Sequence, residues 1–585
     1  MRKFVGFLFL ATVLSNCSSN LIDSSANNKI QVSSSQLTTI GSVEGGLYVF
    51  RGIPYAEPPV DDLRWKAPRP FSSNEIIDAT RFKNECIQPE DNSSLFNRSL
   101  ITGDEDCLYL NIYVPKNSSQ IEKNKLPVMF WIHGGSNIWG SGSFYDYSRL
   151  AERKDVIVVT INYRLGIFGW FASDFIRDTS SGLDQSANFG HLDILEGLRW
   201  VQNNIAAYGG DPENVTVFGE SAGGHNILTL LASPLSDGLF HKAISQSGYV
   251  TSHSLEFATS ESELSSEKIF EEDIKYLTNS NEIVDYLRSL SSQEVYEKYI
   301  DTAEKHPYPI TPITIRDGIV VPKNGIYEGL EKVDPNIVVV AGTNKDEMNY
   351  WYINSDYFYQ TTLEVKRTLK RSEENLRSWN KYRSDIWRYR GAEEPLRRMT
   401  ESNDNLYSYR FDWDEQLNGF AGDYGLFLGA AHGLDIPFLS ASFDMPPITW
   451  YIKPILFPDS SALGRDALSD QMMTFWSNIA KYGDPNAFGK QQNWEKFTLE
   501  NQSYLTLDNP EAGLIQMNNN PVKRSQLLEE LESDSTLEIK ERCLLGWIAV
   551  RQFSEFKNPK PPFGFCSDFS EEELSLFRKE VEGSD

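Results

Sequence analysis

The chain has 585 residues with 82 acidic and 55 basic side chains, which gives a formal net charge of −27. This acidic balance argues against nucleic acid and anionic lipid headgroups as partners, because both would repel the protein surface. Hydrophobic residues make up 40% of the chain and aromatic residues 12%, which is enough for a substantial core. No linker rich in Pro, Gly or Ser divides residues 52–486, so we expect one large domain in spite of the length.

The first residues are typical of an export signal. Residues 1–3 include two basic side chains, and residues 4–14 form an apolar run too short to cross a bilayer. The sequence that ends at Cys17 resembles a bacterial lipobox, although asparagine precedes the cysteine where the pattern prefers a smaller residue. We therefore predict a signal peptide at 1–17, with lipidation of Cys17 or, alternatively, ordinary cleavage nearby. A Ser/Asn-rich flexible tether is predicted at 18–35, and the mature protein would be extracytoplasmic, with a lipid as its only membrane anchor.

Five cysteines are present, and four remain if Cys17 carries lipid. An exported chain can pair them. Proximity in the sequence suggests Cys86–Cys107 and Cys543–Cys566 disulfides, each of which would stabilise the fold by about 3 kcal/mol. The spacings match no zinc template, so no metal site is predicted.

Apolar strands alternate with helices along the chain. Residues 128–132 and 156–161 are almost continuously apolar, as expected for strands covered on both faces. A helix with apolar residues at three- and four-residue steps follows at 192–208, and the Gly-Gly-Asp-Pro sequence at 209–212 ends it. Further strands are predicted at 215–218, 243–245 and 337–341. This alternation predicts an α/β fold with a mostly parallel sheet.

The chain divides into one main unit and several outlying segments. We predict a single domain at 36–570 and an acidic C-terminal tail at 571–585. The charged helical segments at 255–305 and 355–400 are expected to leave the sheet and shape the entrance to a site.

A nucleophile motif lies between a predicted strand and a predicted helix. Residues 219–223 read Gly-Glu-Ser-Ala-Gly, which is the G-x-S-x-G pattern. A strand that turns sharply into a helix exposes the central side chain, and flanking glycines leave room for that turn. Ser221 would then lie near a helix N-terminus, where developing negative charge is favoured.

The chain resembles the type-B carboxylesterase/lipase family, the cholinesterase-like branch of the α/β-hydrolase fold. The resemblance is carried by the Ser221 motif and by seven further segments: 50–56, 105–115, 162–166, 208–212, 342–347, 431–433 and 482–486. It implies a large, mostly parallel central sheet flanked by helices, with helical excursions over the entrance to the active site.

The family order of catalytic residues is Ser, Glu, His, which implies Ser221, Glu347 and His432. Glu347 follows the apolar strand at 337–341 by a short loop, as the fold requires of the acid. Asp346 is the rival acid. Of the seven histidines, only His432 comes after Glu347, and it lies in a segment of small residues.

The resemblance also implies an oxyanion hole formed by the backbone N–H groups of Gly135, Ser136 and Ala222. Ser136 stands where the family usually has glycine or alanine. Ser247 matches the family serine that orients the acid, but it fits equally well as a turn serine after a strand.

These features predict a serine esterase that works through an acyl-enzyme and needs no cofactor. A cholinesterase would carry a Trp in the loop closed by the first disulfide; residues 86–107 contain Phe96 but no Trp, so neutral esters are expected. A non-catalytic adhesion protein of the same fold is the other alternative, but such relatives typically lose a triad residue. Trp139, Phe144, Trp351 and Tyr352 are candidates to line the pocket, although packing in the core or at the surface is the default expectation for each. The oligomeric state stays open.

Overall fold

A computed structural model describes most of the chain. The described residues are 22–24, 28–90, 101–116, 123, 125–303, 313–362, 366–419, 422–444, 453–487, 493–552 and 562–582. The predicted signal peptide and the lipidation site at Cys17 lie outside them. Within the described residues, no helix combines the length and apolar character needed to cross a membrane.

The strands are short and follow one another from the N-terminus to residue 518. In chain order they are β1 (Ile22–Ser24), β2 (Lys29–Ser33), β3 (Thr38–Glu44), β4 (Leu47–Pro54), β5 (Ile76–Asp78), β6 (Gln88–Pro89), β7 (Ile101–Thr102), β8 (Tyr109–Pro115), β9 (Leu126–Ile132), β10 (Ile157–Ile161), β11 (Gly210–Glu220), β12 (Lys242–Gln246), β13 (His253–Ser254), β14 (Ile315–Arg316), β15 (Val338–Asn344), β16 (Tyr359–Thr362), β17 (Lys366–Leu369), β18 (Leu406–Phe411), β19 (Asn418–Gly419), β20 (Gly422–Asp423), β21 (Tyr504–Leu507) and β22 (Gln516–Asn518).

Fourteen of the described strands form one large sheet in the order β1-β2-β3-β4-β8-β10-β9-β11-β12-β15-β18-β21-β22, with β5 beside β3. The pairs from β10 through β9, β11, β12, β15 and β18 to β21 are parallel. The strands on either side of this block pair antiparallel, except that β5 pairs parallel with β3. The large, mostly parallel central sheet predicted from the sequence is therefore present.

Helices cover both faces of this sheet. They are α1 (Ser148–Lys154), α2 (Gly166–Gly169), α3 (Asp174–Asp178), α4 (Phe189–Asn204), α5 (Ala222–Ala232), α6 (Ser266–Ile274), α7 (Ser280–Ser289), α8 (Ser292–Ala303), α9 (Ile326–Leu330), α10 (Asn349–Tyr352), α11 (Glu373–Arg388), α12 (Glu394–Met399), α13 (Tyr424–Phe427), α14 (Ile436–Ser440), α15 (Lys453–Leu456), α16 (Ala462–Tyr482), α17 (Arg524–Ser533), α18 (Ile539–Gln552) and α19 (Glu571–Glu582).

Strand β9 shows why the central strands are apolar throughout. Phe130 and Ile132 enter the core that contains residues of α4 and α5, whereas Met129 and Trp131 enter the core that contains residues of α16. Successive side chains of a strand point to opposite faces, and here both faces are buried. A third cluster joins α11, α18 and α19.

Both predicted disulfides are present. Cys86–Cys107 and Cys543–Cys566 join Cα atoms 4.9 and 5.5 Å apart. The second links α18 to the segment before α19, so it holds the C-terminal helices together. Among the described residues, no group of three or more His, Cys, Asp or Glu side chains has a geometry suited to a metal ion.

Two segments that we predicted from composition as a tether and a tail are wrong in part, because each contains a regular element. The predicted tether at 18–35 includes β2, because Ile30 and Val32 alternate with polar residues and are fully buried in the sheet. The predicted acidic tail at 571–585 includes α19, whose Leu574, Phe577 and Val581 are buried. Their spacing of three and four residues places them on one helix face, so this segment packs as an amphipathic helix.

Candidate active site

The candidate nucleophile lies at a sharp turn between β11 and α5. Ser221 has φ 57° and ψ −120°, a strained backbone conformation for a residue other than glycine. A Cβ atom at Gly223 would collide with the carbonyl oxygen of Ile132, and one at Gly219 would lie only 2.5 Å from it. The two glycines of the motif therefore let the turn press directly against the end of β9.

The candidate acid and base are joined by a hydrogen bond. His432 Nδ1 lies 2.5 Å from Glu347 Oε2, and both side chains are buried. Glu347 Oε1 also accepts a 2.8 Å bond from the backbone N–H of Asn344, which fixes the carboxylate. Asp346 instead accepts a 2.7 Å bond from Asn380 and a 3.1 Å bond from the backbone N–H of Ala430. Of the two candidate acids, the structure brings Glu347 to His432.

A glycine turn after β9 faces the elbow. A Cβ atom at Gly134 would lie 2.8 Å from the carbonyl oxygen of Glu220, too close for the backbone to accept without a shift. Gly135 has φ +98°, and a Cβ atom at this position would collide with the carbonyl oxygen of Trp139. The loop can follow this path because both residues lack a side chain.

The N–H groups proposed for an oxyanion hole come from this turn and from the helix. Within the described part of the chain, no hydrogen bond uses the N–H of Gly135 or Ser136 as donor. Ser136 has φ 54°, so the hydroxymethyl group is accommodated in a left-handed conformation. Ala222 is the first residue of α5, and the first N–H groups of a helix have no partner within it. These donors are therefore available to a developing negative charge.

Comparison with known proteins identifies the family of this chain. The sequence model of the Carboxylesterase family matches residues 33–368 and 353–526. The chain belongs to this family. It is 32% identical to the para-nitrobenzyl esterase of Bacillus subtilis over 80% of this chain and 92% of that protein. It is 31% identical to the human cocaine esterase over 81% and 85% of the two chains.

A solved structure of a PNB esterase superimposes with a TM-score of 0.69 at 30% identity, covering 86% of this chain and 99% of the other. The fold of this carboxylesterase is therefore the α/β-hydrolase fold, and the predicted fold class is confirmed. Its biochemical class is confirmed as well: it is a carboxylic ester hydrolase.

The predicted acid-orienting serine lies near the acid strand but makes no bond to the acid. Ser247 follows β12, has φ 48° and is fully buried. Its backbone N–H donates a 2.8 Å bond to Gly342 on β15. Its hydroxyl has no hydrogen-bond partner among the described residues. The structure thus records Ser247 as a residue of a strained turn, and its influence on Glu347 stays a prediction.

A further carboxylate lies beside the imidazole of this carboxylesterase. Glu220, the residue before Ser221, places Oε1 3.2 Å from His432 Nε2, and both side chains are at least 92% buried. The Nε2 side of the ring therefore faces the nucleophile elbow. The motif itself contains this glutamate, but its proximity to His432 is a tertiary contact that the sequence does not reveal.

Three buried carboxylates set the electrostatics of the imidazole. Burial lowers the pKa of His432, but the nearby charges of Glu220 and Glu347 outweigh burial and raise it above its ordinary value. Burial raises the pKa of Glu220; the charge of His432 opposes this rise, and that of Asp435 reinforces it. Asp435, at the start of α14, accepts a 2.7 Å bond from Gln246, and burial raises its pKa too.

Two of the competing histidines have structural partners. His225 lies 2.6 Å from both the carbonyl oxygen of Tyr249 and the hydroxyl of Thr314, and burial lowers its pKa to about 3. His133 stacks on Tyr163 with ring centroids 4.4 Å apart. His306 lies outside the described residues.

Aromatic side chains enclose the exposed side of the base. The ring centroids of Trp351 and Trp387 lie 5.0 and 4.9 Å from that of His432, and Tyr350 lies 6.2 Å away. Trp351 is thus beside the reacting groups, as one of its two expected positions allowed. Tyr352 takes the other expected position, because it is fully buried in the third core cluster. Sequence reasoning missed Trp387, which belongs to an amphipathic helix with no local motif.

Proposed function

We propose that this carboxylesterase cleaves esters through an acyl-enzyme on Ser221, with His432 as general base and Glu347 as the acid that orients it. One observation carries the proposal. The imidazole is bound to Glu347 through Nδ1, and its Nε2 faces Glu220, which directly precedes Ser221. This arrangement supports a triad in which the bonded acid and base lie beside the residue that precedes the nucleophile.

The chemistry follows from these positions. His432 takes the hydroxyl proton as Ser221 attacks the ester carbonyl, and Glu347 keeps the imidazole in the tautomer that accepts it. The N–H groups of Gly135, Ser136 and Ala222 stabilise the oxyanion, each contributing on the order of 3 kcal/mol in the transition state. The alcohol leaves with the proton from His432. Water activated by the same histidine then releases the acid.

Trapping of the covalent intermediate tests this assignment. We expect a fluorophosphonate ester to add one organophosphoryl group, and peptide mass spectrometry should locate it on Ser221. The reason is that only an activated serine attacks such a phosphorus centre at neutral pH. The Ser221→Ala variant is the control and should take up no label. Stoichiometric label on another serine would contradict the proposal.

We further propose that the mature protein is exported and anchored through lipid on Cys17. Two disulfides support an oxidising compartment, and the basic and apolar start supports a signal peptide. Growth with radiolabelled palmitate in a bacterial host should label the full-length protein but not its Cys17→Ser variant. Equal labelling of both, or absence of label from both, would count against the anchor.

A further inference from the structure

Two tryptophans form a wall against the ring of His432. The indoles of Trp351 and Trp387 stack on each other with centroids 5.4 Å apart and an interplanar angle of 28°. Each also contacts the imidazole, at 5.0 Å for Trp351 and 4.9 Å for Trp387. The imidazole therefore cannot turn on this side without displacing an indole.

The wall is anchored to the loops that carry the site. Trp351 lies on α10, four residues after Glu347. Trp387 lies on α11, and its indole N–H is 3.1 Å from the carbonyl oxygens of both Ser247 and Gly248. That segment directly follows Gln246, whose carbonyl oxygen accepts a 2.9 Å bond from the N–H of Ser221. The two indoles thus connect the acid loop to the loop beside the elbow.

Glu220 offers His432 a partner that the ring does not take. Nε2 and the nearer oxygen of Glu220 are 3.2 Å apart, a distance suited to a hydrogen bond. Yet neither atom has a hydrogen-bond partner within the described residues, although both are buried. A protonated imidazole with freedom to turn would add a hydrogen bond to this 3.2 Å ion pair, since a buried charge without a hydrogen bond is costly. A neighbouring group must therefore hold the imidazole out of hydrogen-bonding alignment with Glu220.

We propose that Trp351 and Trp387 are positioning residues that keep the imidazole of His432 from rotating into hydrogen-bonding alignment with Glu220, so that Nε2 stays available to Ser221. This inference rests on the proposed function, because it assumes that His432 Nε2 is the atom that accepts the serine proton. The indoles act by packing, and they take no part in the proton transfer.

The proposal predicts a specific pH signature. The titratable groups that face His432 are Glu220, Glu347, Asp435 and Tyr350. If the wall is removed, a tighter pair with Glu220 raises the pKa of His432 further, because an opposite charge at shorter distance favours the protonated ring. The base is then neutral only at higher pH. If removal of the tryptophans only disturbed the local packing, the acid limb of the kcat/KM pH profile would stay at its wild-type pH.

The first test replaces the indole by an aliphatic side chain. For Trp387→Leu we expect kcat/KM for p-nitrophenyl acetate to fall about 10-fold, with the acid limb moved to higher pH. Trp387→Phe retains an aromatic face and should recover most of the rate. Tyr389→Leu is the matched control: its ring lies under Arg397, with the guanidinium carbon 4.8 Å from the ring centroid, and its loss should change neither quantity.

The second test removes the competing charge. In the Glu220→Gln background, Trp387→Leu should cost several-fold less than in the wild type, because no carboxylate remains to draw the ring away. An equal loss in both backgrounds, or an acid limb that stays or moves to lower pH, overturns the proposal. The Ser221→Ala variant distinguishes failure of the proposed triad from failure of the tryptophan wall. Retained activity there refutes the triad, whereas lost activity there together with an equal Trp387→Leu loss in both backgrounds refutes only the wall.

Discussion

Replacing His432 by alanine is expected to lower kcat for p-nitrophenyl acetate by about 10⁴- to 10⁶-fold, close to the background rate. Without the imidazole, the candidate replacement base is Glu220, which directly precedes Ser221 and lies beside His432. Burial raises the pKa of Glu220, and the loss of the positive partner raises it further, so this carboxyl is protonated near neutral pH and is a poor replacement base. Steady-state hydrolysis with purified protein measures the loss.

The double variant is the sharper form of this experiment. Because the proposed mechanism makes Ser221 and His432 parts of one unit, His432→Ala combined with Ser221→Ala should be no slower than either single variant. Circular dichroism should show an unchanged fold, since alanine at 432 removes one side chain at the edge of the site. A His432→Ala protein that keeps more than about a hundredth of the wild-type rate would exclude this histidine as the base.

The parts that the sequence predicts well depend on local patterns. Residues 126–132 are apolar throughout because helices cover both faces of β9, and that pattern needs no tertiary knowledge. The elbow at Ser221 depends on five consecutive residues, and the two glycines among them leave room for the end of β9. The family resemblance then supplies the order of acid and base, and the bond between Glu347 and His432 agrees with it.

The parts that the sequence did not reveal depend on contacts between distant residues. Glu220 reaches His432 across 212 positions, and Trp387 reaches it from a helix outside every motif. Composition gave the wrong prediction near both ends of the chain. The Ser and Asn residues at 18–35 led us to overlook the alternating apolar residues Ile30 and Val32. The glutamates at 571–573 led us to overlook the buried face of α19. In each case a periodicity of two or of three to four residues was the available signal.

Changing Glu347 to glutamine is expected to lower kcat by about 10⁴-fold, because the carboxamide can donate to Nδ1 and stabilise the wrong tautomer of His432. The carboxylate also contributes to the raised pKa of this histidine, so its removal lowers that pKa. The acid limb of the residual activity should therefore lie at lower pH than in the wild type. A pH series of kcat/KM measures both effects on one protein.

The adjacent acid supplies the matched control. Asp346 is half-buried, and it binds Asn380 and the backbone N–H of Ala430, at 2.7 and 3.1 Å. Asp346→Asn is therefore expected to destabilise the fold by about 1–3 kcal/mol while kcat stays within about 10-fold of the wild type. If the two losses were reversed, with Asp346→Asn inactive and Glu347→Gln active, Asp346 would be the acid. The Glu347 bond in the structure would then belong to a resting arrangement that rearranges before catalysis.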